Sequence, residues 1–135
     1  MFDLRRYRLG SAAAALGAAG EAASIRLFDA SDNGFTGGPP PPPPDAPALA
    51  IWDVSRNSLD GELPPVPPPP SLRIFAAAGN KLSGAVPPLM FPVDCGLRLL
   101  DLSGNALNGS LPESLMGLAS ARVVNMSVRR CRLTL

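Results

Sequence analysis

The chain has 135 residues, 46% of them hydrophobic, and a formal net charge of +1, enough apolar material for one small core and no electrostatic footprint for nucleic acid. It contains no histidine, and its two cysteines, Cys95 and Cys131, lack the spacing and partners of a zinc site. Without His there is no ordinary Ser-His-Asp or Cys-His arrangement, so neither an enzyme nor a bound cofactor or metal is expected.

Residues 1–23 pair arginines at 5, 6 and 8 with an alanine-rich stretch. Asp3 and Glu21 argue against a signal or transit peptide, and no run approaches the roughly 20 apolar residues of a membrane span. Ala12 to Ala15, with Ser11 as N-cap, suit a short helix capping the domain that begins near residue 24. Phe2, Leu4 and Leu9 also admit a degenerate strand, with Tyr7 replacing the residue that heads each later copy.

From about residue 24 one pattern repeats. Asn33, Asn57, Asn80 and Asn105 are followed by an apolar residue two places on (Phe35, Leu59, Leu82, Leu107) and a glycine four on (Gly37, Gly61, Gly84, Gly109). A proline stands seven on (Pro40, Pro64, Pro87, Pro112), and apolar residues stand three, five and eight places before each Asn. Approximate repeats are 25–48, 49–71, 72–96 and 97–120, with a degenerate fifth at 121–135. Self-similarity at this period predicts a stacked solenoid.

Within a copy, Leu100 and Leu102 alternate with Asp101 and Ser103, the period of two of a strand buried on one face. The chain must then turn, and a buried turn leaves backbone groups without partners. Asn carries both a donor and an acceptor, so the Asn ladder is expected to bond the turn backbone within its coil and towards the next.

The motif LxxLxLxxNxLxGxLP, clearest in LDLSGNALNGSLP at 100–112, resembles the plant-type leucine-rich repeat. The reading is a fragment or short member of that family. The resemblance implies an α/β fold: a right-handed solenoid of about five coils, with short parallel β-strands on the concave face and irregular convex returns. Known members include receptor ectodomains and receptor-like proteins, so it also implies a non-enzymatic module binding a protein or peptide on the concave face. Secretion or membrane association is expected if the chain belongs to a longer receptor-like protein.

The outward strand positions stack into columns: Asp29, Asp53, Ala76, Asp101 and Asn125; Ser31, Ser55, Ala78, Ser103 and Ser127; Asp32, Arg56, Gly79, Gly104 and Val128. An apolar column of Leu27, Ile51, Ile74, Leu99 and Val123 lies on the other flank. Candidate partner-binding residues are Asp29, Ser31, Asp32, Asp53, Ser55, Arg56, Asp101, Ser103 and Asn125. Asp32 and Arg56 sit in the column that varies most and are the candidates for specificity. Asp and Ser elsewhere are also explained by the family's LDLS strand alone.

Seventeen prolines exceed the roughly seven that ordinary usage of about 5% gives, and most of the excess lies at 39–44 and 67–70. These returns are expected to be polyproline II spans over a thin core, since each missing inward leucine forgoes about 1.5–3 kcal/mol of burial. An isolated solenoid of this kind is expected to be marginally stable. The third return offers Met90, Phe91 and Val93 as fillers, and 113–120 reads as a short helix with Leu115 and Leu118 inward.

The proline runs carry an alternative function, an intracellular, cytoskeletal-type scaffold binding SH3, WW, EVH1 or profilin-like grooves. Near the C-terminus Arg129 and Cys131 replace Asn and Leu, which fits either a makeshift cap with Arg130 and Arg132 or a fragment. Sequons at Asn108 and Asn125 are candidate N-glycosylation sites.

Overall fold

Residues 2–3, 24–90, 96–110, 112–113, 123–125 and 132–134 are described by a computed structural model. The strand segments form where the repeat places them. Short strands β2 (Leu27–Asp29), β4 (Ile51–Asp53), β6 (Ile74–Ala76), β8 (Leu99–Asp101) and β10 (Val123–Asn125) lie side by side in one parallel sheet. A further strand, β1 (Phe2–Asp3), joins its far edge with Phe2 opposite Phe28 and Asp3 opposite Asp29. The sheet therefore holds six strands where about five coils are expected, and three full turns of chain separate β2 from β8.

A second parallel arrangement comes after each turn. It orders β11 (Arg132–Thr134), β9 (Ala106–Ser110), β7 (Lys81–Gly84), β5 (Ser58–Glu62) and β3 (Thr36–Gly37). These strands occupy the positions just after each Asn, so every coil pairs with its neighbours twice, once before and once after the turn.

Between the two arrangements runs a continuous core built from the inward positions. Phe28, Trp52, Phe75 and Leu100 form one buried row, Ala30, Val54, Ala77 and Leu102 a second, and Phe35, Leu59, Leu82 and Leu107 a third. Phe28 and Trp52 stack with ring centroids 4.2 Å apart and planes 16° from parallel. The residue before the repeat proline is also a core position, since Leu63 and Val86 are buried.

The Asn ladder connects the coils, with one difference from expectation: it reaches back to the preceding coil. Asn57 Nδ2 donates to Val54 O and Ser55 O in its own coil and to Ala30 O one coil earlier. Its Oδ1 accepts from Asn33 N and Phe35 N of that earlier coil, both at 3.0 Å. Asn80 and Asn105 repeat the arrangement, bonding Val54 O and Leu59 N, and Ala77 O and Leu82 N. Each amide thus satisfies backbone groups on either side of the preceding coil's turn.

The convex returns correct the expectation of a thin core. They have no regular structure over most of 38–43 and 64–69, but Pro40, Pro42, Pro68 and Pro69 are buried, together with Ala46. Proline rings fill space that leucines would occupy. In the third return Pro88–Met90 makes one 3-10 turn and Met90 is buried, whereas Phe91 and Val93 lie outside the described residues. The helix expected at 113–120 falls almost wholly outside them, as do Ala12 to Ala15 and the residues of the Arg-rich end at 129–131.

Candidate functional site

The inner sheet sets the candidate face, because strand register brings the predicted columns together. Asp29, Asp53, Ala76, Asp101 and Asn125 are consecutive partners across β2, β4, β6, β8 and β10. Leu27, Ile51, Ile74, Leu99 and Val123 are the parallel column two residues earlier. Leu27, Ile51, Ile74 and Leu99 are half-buried, as are Asp29, Asp53 and Asp101, so apolar and acidic rows run side by side.

The aspartates have structural work as well. Asp29 Oδ1 accepts from Ser31 N at 3.1 Å and Ser31 Oγ at 2.6 Å. Asp101 Oδ1 takes the same two bonds from Ser103, at 3.0 and 2.7 Å, and Asp53 Oδ1 accepts from Ser55 N at 2.9 Å. Each carboxylate stabilises the backbone entering the turn, as short polar side chains do in turns generally. Ser31 and Ser55 are buried at 2% and 8% exposure, so of the predicted serines Ser103 offers the most surface. Ser55 Oγ instead accepts from Ala78 N in the next coil.

The third predicted column has a backbone explanation that side-chain variation did not suggest. Asp32 and Arg56 have φ of 59° and 53°, in the left-handed region where Gly79 and Gly104 also lie at 66° and 68°. All four described copies hold that conformation, and non-glycine residues adopt it at a cost in strain. The two glycines in the column were the sequence signal for it.

Asp32 and Arg56 hold each other across coils. Arg56 Nε donates to Asp32 Oδ1 and Nη2 to Oδ2, both at 2.8 Å, a bidentate geometry. The pair is open to solvent, with side-chain exposures of 67% for Arg56 and 44% for Asp32. The Asp32 hydrogen bond and charge, joined more weakly by Asp53 and Asp29, push the Arg56 pKa above its ordinary value. Arg56 is therefore a fixed cation on this face.

Coil three breaks the pattern. Ala76 and Ala78 stand where coils one, two and four carry Asp and Ser, and Gly79 stands where coils one and two carry Asp32 and Arg56. Ala76 therefore stands as a small, uncharged partner between Asp53 and Asp101 in the column. Asn125 lies beside Asp101 in the sheet, and Asn108 is exposed on β9, away from the inner sheet. Among the described residues no group of three or more His, Cys, Asp or Glu could hold a metal ion, and no helix is long and apolar enough to cross a membrane.

A Leucine Rich Repeat family model matches residues 96–118. Among solved structures, the chain is similar to the Arabidopsis receptor kinase HAESA in complex with the peptide hormone IDA and the co-receptor SERK1, at 27% identity and a TM-score of 0.80, covering 99% of this chain and 22% of that one. It is similar to the plant peptide hormone receptor RGFR1 in complex with RGF2, at 27% identity and a TM-score of 0.77, covering 98% and 21%. A TDR receptor structure at 24% identity and a TM-score of 0.72, covering 92% and 21%, shares the fold. The chain thus spans about a fifth of the length of these receptor chains. A comparison with curated proteins finds no match.

Proposed function

We propose that this leucine-rich-repeat solenoid, similar to plant receptor ectodomains, is a non-enzymatic interaction module that binds a peptide or protein segment on its concave face. The observation that carries the reading is the register of the inner sheet. Over four described coils it sets a half-buried apolar column beside one that is acidic in three of them, with the fixed Arg56 guanidinium at the rim. Two of the similar receptor structures are described with peptide ligands, which supports a peptide or protein ligand here. They also support a receptor-like, extracellular setting over a cytoskeletal one.

The scaffold alternative has less support. A polyproline II ligand must lay ring faces into an aromatic-lined groove, and Pro40, Pro42, Pro68 and Pro69 already direct theirs into this domain's own interior. Asp45 flanks the first run, which also lacks a basic neighbour.

A displayed random-peptide library panned on the purified chain tests the proposal. Captured peptides are expected to lose binding to a D53R/D101R variant that retains its circular dichroism spectrum, and to tolerate replacement of the exposed Pro44. Peptides that bind both proteins equally, or no enrichment at all, would sink it.

A further inference from the structure

The concave face constrains its ligand's backbone. Its strands spend their N–H and C=O groups on one another, and the coil-three turn is equally occupied: Ala77 N donates to Asp101 O, Ala78 N to Ser55 Oγ and Gly79 N to Ser103 O. A ligand lying on this face cannot add as a strand and must be read by side chains.

Charge and spacing then select the ligand. Asp53 and Asp101 are two strands apart, about 9.6 Å at about 4.8 Å per strand, with the small Ala76 between them. Asp32 draws the Arg56 guanidinium towards coil one, and coil three presents only the small, uncharged Ala76, Ala78 and Gly79. Gly79, at φ 66°, packs directly on Arg56 of the preceding coil, where an added Cβ would lie 3.5 Å from Arg56 Cγ, an ordinary contact. Along the solenoid axis a polyproline II chain rises about 3.1 Å per residue with three residues per turn, so residues i and i+3 share one side about 9.3 Å apart. In an extended strand the same-side spacing is about 6.7 Å, which matches neither one strand step nor two.

We propose that the concave face takes a basic polyproline II segment with Lys or Arg at i and i+3, the two cations on Asp53 and Asp101 and the intervening residues over Ala76 and beside Ile74. This rests on the concave-face reading and names its ligand class. Polyproline II suits the site because it forms no internal or cross-strand hydrogen bonds and loses little conformational entropy on docking.

The test is an NMR titration of the whole chain with three peptides: four Lys-Pro-Pro repeats, an alternating Lys-Pro peptide matched to it in charge with four lysines, and four Glu-Pro-Pro repeats of opposite charge. The first is expected to bind about three- to fivefold more tightly than the second, as exposed ion pairs allow, to move the Ala76 and Ala78 amides, and to weaken at high salt. D53N/D101N keeps the Oδ1 acceptors for Ser55 N and Ser103 N, so it should stay folded and lose the spacing preference. Equal binding of the two lysine peptides, preference for the glutamate peptide, or shifts confined to another face would overturn the inference. A library peptide of different chemistry bound to the same face would overturn it while leaving the concave-face reading intact. Failure of every peptide to bind that face would overturn both.

Discussion

The guanidinium of Arg56 grips the Asp32 carboxylate of the preceding coil at 2.8 Å through both Nε and Nη2, and both residues hold a positive φ. Exposed ion pairs contribute little to folding, and glycine is the easier occupant of that backbone. D32G/R56G should therefore melt within about 3 °C of the parent in a thermal scan, while altering peptide selection on the concave face. A large loss of melting temperature would mean the pair is a structural staple instead.

Asn57 is tied by five hydrogen bonds across two coils. Asn57→Ala leaves several buried backbone groups without partners and should destabilise by on the order of 3 kcal/mol in urea titration. Asn57→Asp should be no better. It retains Oδ1 but sets a carboxylate against three carbonyl oxygens, so only an acid-stabilised variant would show partial recovery.

Trp52 is buried with no partner for its Nε1 among the described residues, a group whose desolvation costs about 1–3 kcal/mol. Phe28 and Phe75 are its register partners, so phenylalanine suits the row. Trp52→Phe should lie within about 1 kcal/mol of the parent because the relieved N–H offsets the lost volume. Trp52→Ala should lose about 3–5 kcal/mol. Equal losses in the two variants, measured by denaturant midpoint, would contradict this account.

Pro40 and Pro42 are buried and Pro44 is exposed in the same run. Replacing the first two with serine should cost about 1–3 kcal/mol together, from lost burial and the added hydroxyls. Pro44→Ser should change little. If all three behave alike in a denaturant titration, the run is a spacer outside the core.

Gly104 sits at φ 68°, and an added Cβ would lie 3.3 Å from Gly79 N in the coil before it. Gly104→Ala is expected to destabilise by about 1–2 kcal/mol through strain and crowding of the stacked turns. A neutral result in the same titration would show that adjacent turns can separate without loss.

Much of this molecule was legible in the chain because a solenoid repeats its physics. The position of Phe28 in one coil is that of Trp52, Phe75 and Leu100 in the others, so alternation and period gave the strands, the core rows and the columns of the concave face. The prolines were harder to read. A residue without a backbone N–H suggested an empty, extended return, but whether its ring points inward depends on where the return crosses the core.

The concave candidates divide in the same way. Their placement on one face comes from period alone, but their availability does not: Ser31 and Ser55 are buried, and each column aspartate binds the backbone two residues on. The Asn ladder was evident from four spaced residues, yet its direction depended on which neighbouring coil leaves backbone groups within reach of the amide.

The sequence by itself determined the repeat, the inward and outward positions and the lack of histidine chemistry, since these depend on local order along the chain. Only tertiary structure decided that Asp32 and Arg56, 24 residues apart, meet as a bidentate pair, and that Asp29 and Asp101 each bind a serine hydroxyl while Ser55 Oγ turns to the next coil. Those relations depend on the stacking of coils, where register and left-handed turns set which side chains can reach one another.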